Sequence, residues 1–536
     1  MTDATLDQVG AAPAPPPAEG RVGWRTKVGF VAMVFGMFMA ILDIQIVSAS
    51  LAEIQAGVSA SADEIVWVQT AYLIAEVVMI PLSGYLSRLL STRILFTASA
   101  LGFTAMSLAC AYAGSIESLV FYRALQGFLG GAMIPTVFAT TFTAFPPRNR
   151  TGVTVIIGLV ATLAPTIGPT LGGWLTASFS WHWLFLVNIV PGLLVAGAVW
   201  TLMDLDRPDW SLLKGIDLGG LALMALFLGS LEYVIEEGAR HNWFEEEKIR
   251  TMAVVAVIAG IGFLWRALTH SNPIVDLRAL RDRNFAMGCL YGFIIGIGLY
   301  GSVYVLPLFL GQVRELNSLQ IGQVMMVTGI CQFLAAPFAG VLSNKIDVRI
   351  VISIGLALLA TSFLLTLGVT ADWDKAEWML PQMVRGFGLM FCIIPITSLA
   401  LGTLSPDQLK NASGLFNLMR NLGGAFGLAG INTIITERLA LHTQRLSEWV
   451  DLTRPVMAGH LENLAASLQG ALGSDAQAAA LKLMAGTVRR EAVVMTFSDL
   501  FLLMGALFVV TLLTMPLVRK PRAAGGPGGG PGAGGH

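Results

Sequence analysis

Apolar residues in this chain come in long runs that few charges interrupt. Each run holds about 20 residues or more, enough to cross a hydrocarbon core of roughly 30 Å as a helix rising about 1.5 Å per residue. Such runs predict spans near 28–50, 64–84, 93–113, 117–141, 150–177, 182–203, 214–235, 250–269, 284–311, 319–342, 349–369, 376–402, 410–436 and 497–518, fourteen in all. In lipid they must be helices, because only a helix satisfies every backbone group within one segment.

Composition agrees. Of 536 residues, 55% are hydrophobic and 12% charged, with a mean hydropathy of +0.71, more apolar surface than a soluble domain can hide. The fold class is therefore an all-α integral membrane protein. A net charge of −1 supplies no basic field for nucleic acid. Cys110, Cys289, Cys331 and Cys392 lie in apolar spans without CxxC pairing, so neither a metal site nor a disulfide framework is expected. Residues 1–20 lack the basic start of a cleavable signal and read as a disordered cytoplasmic head; the Gly/Pro-rich tail at 519–536 reads as disordered too.

Charge in the connections orients the spans, since cytoplasmic loops collect Lys and Arg. With the N-terminus inside, the inner face receives Arg21, Arg25, Lys27, Arg88, Arg93, Arg148, Arg150, Arg207, Arg278, Arg281, Arg283, Lys345, Arg349, Lys410, Arg519, Lys520 and Arg522. The outer loops receive Glu53, Asp63, Glu64, Glu117, Glu236, Glu237 and Glu245 to Glu247. Both termini are thus expected in the cytoplasm.

Weak internal repetition is present. Helix 4, RALQGFLGGAMIPT, and helix 12, VRGFGLMFCIIPIT, each pair a Gly-rich start with a later proline. Paired halves are a transporter signature, with the substrate site between them near the midplane. The register requires a six, two, six plan: a first half at 21–203, two inserted helices at 204–283 and a second half at 284–518. Before the last span, residues 438–496 predict a helical continuation broken at Pro455, then a hairpin turning at Gly473-Ser474-Asp475 with Ser474 or Asp475 as cap. This outer segment is either a lid on the mouth or a docking surface for a partner.

Five charges fall well inside spans, more than a turn from either end: Asp43, Glu76, Arg123, Arg385 and Arg420. A charge at mid-bilayer costs roughly 2.5 to 3.5 kcal/mol on insertion scales, which marks each as a functional candidate. Counting residues from the span ends puts Asp43 and Arg123 at one depth, so they can pair. A carboxylate poised between a cation and desolvation answers to water entering from either side, as a proton-coupling site requires. Glu76 is either a silent neutral acid bonded to Gln69 or Tyr72, or a cavity residue that carries a proton or holds a cationic compound. Arg385 and Arg420 have no acid nearby in sequence; they satisfy carbonyls or meet an anionic group. Tyr72, Gln126, Tyr291, Arg385 and Arg420 join Glu76 as candidate substrate-cavity residues.

Helix 5, GLVATLAPTIGPTLGGWL, places Gly158, Ala161, Ala164 or Pro165, Gly168 and Gly172 three or four apart, with Gly173 adjacent. This small-residue stripe allows close helix approach, while Pro165 and Pro169 remove two amide donors and loosen the ladder. A helix that packs tightly and bends in one place suits a seal between rocking halves.

These motifs resemble a known family. LDIQIVSASL with Asp43, YRALQGFLGG with Arg123, Gln126 and Gly127, the Ala-Pro-x-x-Gly-Pro-x-x-Gly-Gly of helix 5, and WHWLFLVNIVPG look, in that order, like the motifs of the major facilitator superfamily. Fourteen spans and the long outer loop resemble the EmrB/QacA-type drug:proton antiporters (DHA2 family), EmrB branch. The resemblance implies a major facilitator fold, proton-coupled efflux of amphipathic drugs across the bacterial inner membrane, and coupling through Arg123 with Asp43; Glu76 is a third coupling candidate from its own place in the span and not from the resemblance. The resemblance makes Gly158, Pro165, Gly168, Pro169, Gly172 and Gly173 the antiporter motif. It further implies an EmrA-like periplasmic adaptor and a TolC-type channel as partners, no cofactor beyond the proton gradient, and no enzyme activity. GYLSRLLSTRIL departs from the pattern, with Arg88 and Ser91 where Asp and Gly are usual. An exporter of a single metabolite is the alternative within transport; a membrane enzyme is disfavoured by the lack of HExxH, GxSxG or a nucleophile–base cluster, and a channel is a third reading.

Overall fold

The computed structural model describes residues 22–316, 318–450 and 454–519, and all regular structure among them is helical. The disordered head and the Gly/Pro tail expected from the sequence, with Arg21, Lys520 and Arg522, lie outside the described residues. The first six predicted spans correspond to α1 (Trp24–Ser48), followed by a short α2 (Leu51–Val58), α3 (Trp67–Leu90), α4 (Thr92–Ala111), α5 (Ile116–Gly130) with α6 (Met133–Ala144), α7 (Pro147–Ser178), and α8 (Trp183–Leu186) with α9 (Ile189–Leu202). Then come α10 (Leu218–Gly238) and α11 (Glu247–Thr269). The last six correspond to α12 (Arg283–Arg314), α13 (Ser318–Lys345), α14 (Val348–Leu364), α15 (Lys375–Leu401), α16 (Pro406–Trp449) and, after α17 (Pro455–Leu472), α18 (Ala476–Leu513). Among the described residues, twelve segments are long and apolar enough to cross a membrane. The other two expected spans coincide with α14, 17 residues long, and with the 44-residue α16.

Two local expectations change. Helix 4 is not continuous: it stops at Gly130 and restarts at Met133. Two successive glycines weaken the helix there, and a Cβ on Gly131 would stand 2.9 Å from the Glu76 carbonyl, so the break lets the chain press against α3. Glu236 and Glu237, assigned to an outer loop, are inside α10.

The first six spans pack among themselves, chiefly α1 on α7, α3 on α5 and α4 on α9; the last six do the same, α12 on α16 and α15 on both α13 and α14. The two groups meet where α13 lies on α7 and where α16 lies on α3 and α6. The helix 5 stripe was expected to seal this junction. Instead, its close contacts are to α1 in the same group: a Cβ on Gly172 would sit 2.7 Å from the Ile46 carbonyl, and one on Gly168 would overlap the Gln45 side chain. Gly158 does face α15, but loosely, 3.5 Å from Ile394. The closer junction with α13 is made by the partner's glycines, Gly322 against Thr170 and Gly340 against Val155.

The central helices α10 and α11 pack on each other, and α10 also contacts α3 and α16, one from each group. Asp217 caps α10, accepting the Gly220 amide at 2.8 Å and the Arg266 Nε of α11 at 2.5 Å. At the far face, α16 runs on to Trp449, and α17 and α18 form the predicted hairpin turning at Gly473–Asp475, closed by Leu461, Ala480 and Met484. Asp475 stands at the N-cap of α18 but makes no side-chain cap bond, contrary to the sequence expectation.

Candidate functional site: a buried carboxylate network beside a central cavity

Gly127 brings α5 onto α3 so closely that any side chain there would overlap the Tyr72 carbonyl. That approach carries Arg123, about one turn earlier, and Gln126, the preceding residue, into the interior. Arg123 Nη1 lies 2.6 Å from Asp43 Oδ2 and 2.8 Å from Gln126 Oε1, and its Nε donates to the Val68 carbonyl at 3.1 Å. The guanidinium also stacks 4.2 Å from the Tyr72 ring centre. Asp43 and Arg123 are both fully shielded from solvent.

The carboxylate's other oxygen accepts Asn188 Nδ2 at 2.7 Å and Gln126 Nε2 at 3.2 Å. Both amides also donate to Ser107 Oγ, at 3.0 and 2.8 Å. Asn188 occupies the N-cap of α9, where its side chain would ordinarily bond the helix's own amides; here it makes no cap bond and turns to Asp43. The pairing of Asp43 with Arg123 was legible from depth, whereas Asn188 and Ser107 were not singled out. Asn188 lies in the NIVPG stretch already noted, and an N-cap asparagine inside an apolar span is a signal that could have found it.

A cavity of about 430 Å³ lies next to this network. Its wall combines Gln45 of α1, Gln69 and Glu76 of α3, Pro169 of α7, Tyr300 and Tyr304 of α12, Asn421 of α16, and Glu232 and Glu236 of α10, with apolar residues between them. Glu76 is buried and one of its carboxyl oxygens has no hydrogen-bond partner, nor has the Gln69 side-chain oxygen, so the expected bonds from Gln69 or Tyr72 are absent. Glu76 thus stands on the cavity wall without the bonds expected from Gln69 or Tyr72.

Other predicted cavity residues sit elsewhere. Gln126 and Tyr72 belong to the Asp43 network. Tyr291 bonds Thr514 at 3.1 Å near the end of α18. Arg385 is buried within the second group, donating to Thr328 Oγ1 at 3.0 Å and to the Ser302 carbonyl. Arg420 adjoins the wall at Asn421, with its guanidinium 5.4 Å from the Phe138 ring centre and within electrostatic reach of Glu76 and Tyr300. Of the helix 5 motif, Pro169 alone reaches the cavity. Glu232 is not among the sequence candidates because it lies within a turn of the predicted span end at 235, and Glu236 because it was assigned to an outer loop; their i, i+4 spacing in EYVIEE puts them on one helical face.

On the face where α3, α9 and α18 end, the groups are closed against each other. Lys410 of α16 pairs with Asp206 and donates to the Ser87 carbonyl at 3.1 Å, while Asp206 also accepts the Thr92 amide at 2.9 Å. Ser413 Oγ bonds the Pro135 carbonyl at 2.7 Å, and Gly84 packs against the Asn411 backbone. Arg88 therefore does not supply the cross-group ion pair; Lys410 and Asp206 do. Ser91 adopts φ 78°, the left-handed region that favours the glycine usual at this position.

Residues 33–428 match the model of the Major Facilitator Superfamily. The chain belongs to that superfamily. It is 44% identical over 484 residues to the colistin resistance protein EmrB of Acinetobacter baumannii, covering 90% of this chain and 94% of that one. It is 30% identical to the multidrug export protein EmrB of Escherichia coli K12, covering 93% and 96%. Among solved structures, the major facilitator proton:xylose symporter XylE superposes with a TM-score of 0.57 at 12% identity, over 93% of this chain and 97% of that one, a likeness of fold. This major facilitator protein is thus an EmrB-like, multi-pass protein of the bacterial inner membrane and a transporter rather than an enzyme.

Proposed function

We propose that this transporter expels amphipathic organic compounds, drugs among them, in exchange for protons. The observation that carries the reading is the fully shielded Asp43–Arg123 pair beside a cavity walled by both helix groups. The names of the relatives, a multidrug exporter and a colistin resistance protein, agree with it.

Asp43 is held in place by Arg123, Gln126 and Asn188. A proton on that carboxyl removes the charge that orients Arg123 and frees α5 and α9 to move relative to α1. Glu76, with an unpartnered oxygen on the cavity wall, is the second group able to exchange a proton against a bound compound. Closure at Lys410–Asp206 seals one face, so compound and proton reach the cavity from the other, and rocking at the α7–α13 and α3–α16 contacts reverses the access.

In this reading the termini are cytoplasmic, the domain plan is 21–203, 204–283 and 284–518, and the hairpin within 438–496 projects outside. An EmrA-like adaptor and a TolC-type channel would extend the path from there. Compound-dependent proton movement in proteoliposomes under an imposed pH gradient tests the core of the proposal. Asp43→Asn is expected to abolish gradient-driven transport while compound binding survives, and Glu76→Gln to reduce it; wild-type exchange in both variants would refute the coupling assignment.

A further inference from the structure

We infer that Glu232 and Glu236, on the first of the two central helices, form a cation-recognising wall of the cavity, so that the preferred cargo is a positively charged amphiphile. This rests on the cavity being the transport site, as proposed above. The central helices are then part of recognition and not a spacer between halves.

Three observations lead here. First, α10 touches α3 and α16, one helix from each group, so its inner face completes the cavity wall. Glu232 and Glu236 stand one turn apart on that face and both line the cavity. Second, these acids are uncompensated. Glu232 is 4% exposed with one carboxyl oxygen lacking any hydrogen-bond partner, and neither acid has an ion-pair partner among the described residues. Arg123 and Arg420 act electrostatically on Glu76, whereas the groups acting so on Glu232 are Glu236 and Glu76, both acids. Third, and from a different helix, Glu76 presents an unpartnered oxygen to the same cavity while 2% exposed.

A carboxylate shielded from water and left unpartnered, as at Glu232 and Glu76, is costly, and a cation entering beside it, next to the partly buried Glu236, relieves that cost. A hard metal ion would ask for a shell of oxygen ligands at short range. This wall instead mixes acids with Tyr300 and Tyr304, whose rings favour diffuse organic cations, and with Ile41, Leu73 and Leu308, which cover an apolar body. Glu237, the next residue, is occupied otherwise: it accepts Thr70 Oγ1 at 3.1 Å and does not line the cavity.

The test compares binding of tetraphenylphosphonium, a cation that does not titrate, with binding of the neutral dye N-phenyl-1-naphthylamine, using the full chain in nanodiscs. The double substitution Glu232→Gln with Glu236→Gln is expected to weaken the cation at least about tenfold, the scale of a lost charged contact, and to leave the neutral dye unchanged. Glu232→Asp is expected to retain cation binding, and Glu237→Gln to bind both probes as the wild type does. Equal loss of both probes, or undiminished cation binding in the double variant, would overturn the inference. If the wild-type protein bound neither probe, the cavity would not be the transport site, and the reading on which this inference rests would fall first.

Discussion

Asn188 Nδ2 lies 2.7 Å from Asp43 Oδ1, with both side chains buried, so the acid of α1 is held from the α8–α9 turn as well as by Arg123 of α5. Three helical segments therefore converge on one carboxylate, and the two donors are separable by mutation. Asn188→Ala removes one hydrogen bond to a charged group, about 1.5–3 kcal/mol, and leaves the ion pair in place. Proton-driven transport is expected to fall about tenfold with the protein still folded. Arg123→Ala leaves a buried carboxylate without its cation, a loss of about 3–5 kcal/mol, and is expected to lower the melting temperature far more. Thermal unfolding in detergent followed by tryptophan fluorescence checks both, and equal destabilisation by the two would contradict the separation.

The helix 5 glycines are expected to differ sharply from one another. At Gly172 a methyl group would meet the Ile46 carbonyl at 2.7 Å, and backbone cannot step aside. Gly172→Ala should cost about 1–3 kcal/mol by overpacking. At Gly158 the nearest atom is 3.5 Å away, ordinary contact, so Gly158→Ala should be neutral or gain up to about 1 kcal/mol of helix propensity. Melting temperatures of the two variants that moved together would show that the stripe acts as one unit.

Lys410 fastens the closed face through Asp206 and the Ser87 carbonyl. Both partners are partly exposed, 17% and 22%, so the pair is worth about 1 kcal/mol or less. Lys410→Met should therefore raise the open population up to about fivefold. Thiol labelling of a cysteine placed at the buried Ser413 measures it, and an unchanged labelling rate would exclude a latch.

Asp217 anchors the central pair with a defined pH response. Burial alone would raise its pKa, but the Gly220 amide and the Arg266 guanidinium outweigh burial and hold the carboxyl below its usual range. A group depressed in the folded state stabilises above its unfolded value, about pH 4, and loses that contribution as pH falls through the folded value. Asp217→Asn should lower the melting temperature at pH 7, and the difference from wild type should shrink as pH falls below about 4; a difference independent of pH would assign Asp217 a purely steric role.

The sequence by itself determined the elements. Runs of about 20 apolar residues can only be membrane helices, and the cost of an intramembrane charge singled out Asp43, Glu76 and Arg123 because no apolar context tolerates them idly. The hairpin turn at Gly473–Asp475 was legible for the same local reason, a helix-breaking triplet between two helix-forming arms. What required the tertiary structure was the side of each helix and its partner. A glycine stripe announces close packing but not against which helix, so Gly168 and Gly172 proved to serve α1, while the junction between groups draws on Gly322 and Gly340 of α13. Tyr72, Gln126, Tyr291 and Arg385 all lie in apolar spans, yet rotation about the helix axis turned each away from the cavity. Asn188 reaches Asp43 across 145 positions of chain, and Glu232 and Glu236 become cavity groups only because α10 wedges between the two halves. Helix formation is written in local spacing, whereas the meeting of faces depends on how all the helices pack at once.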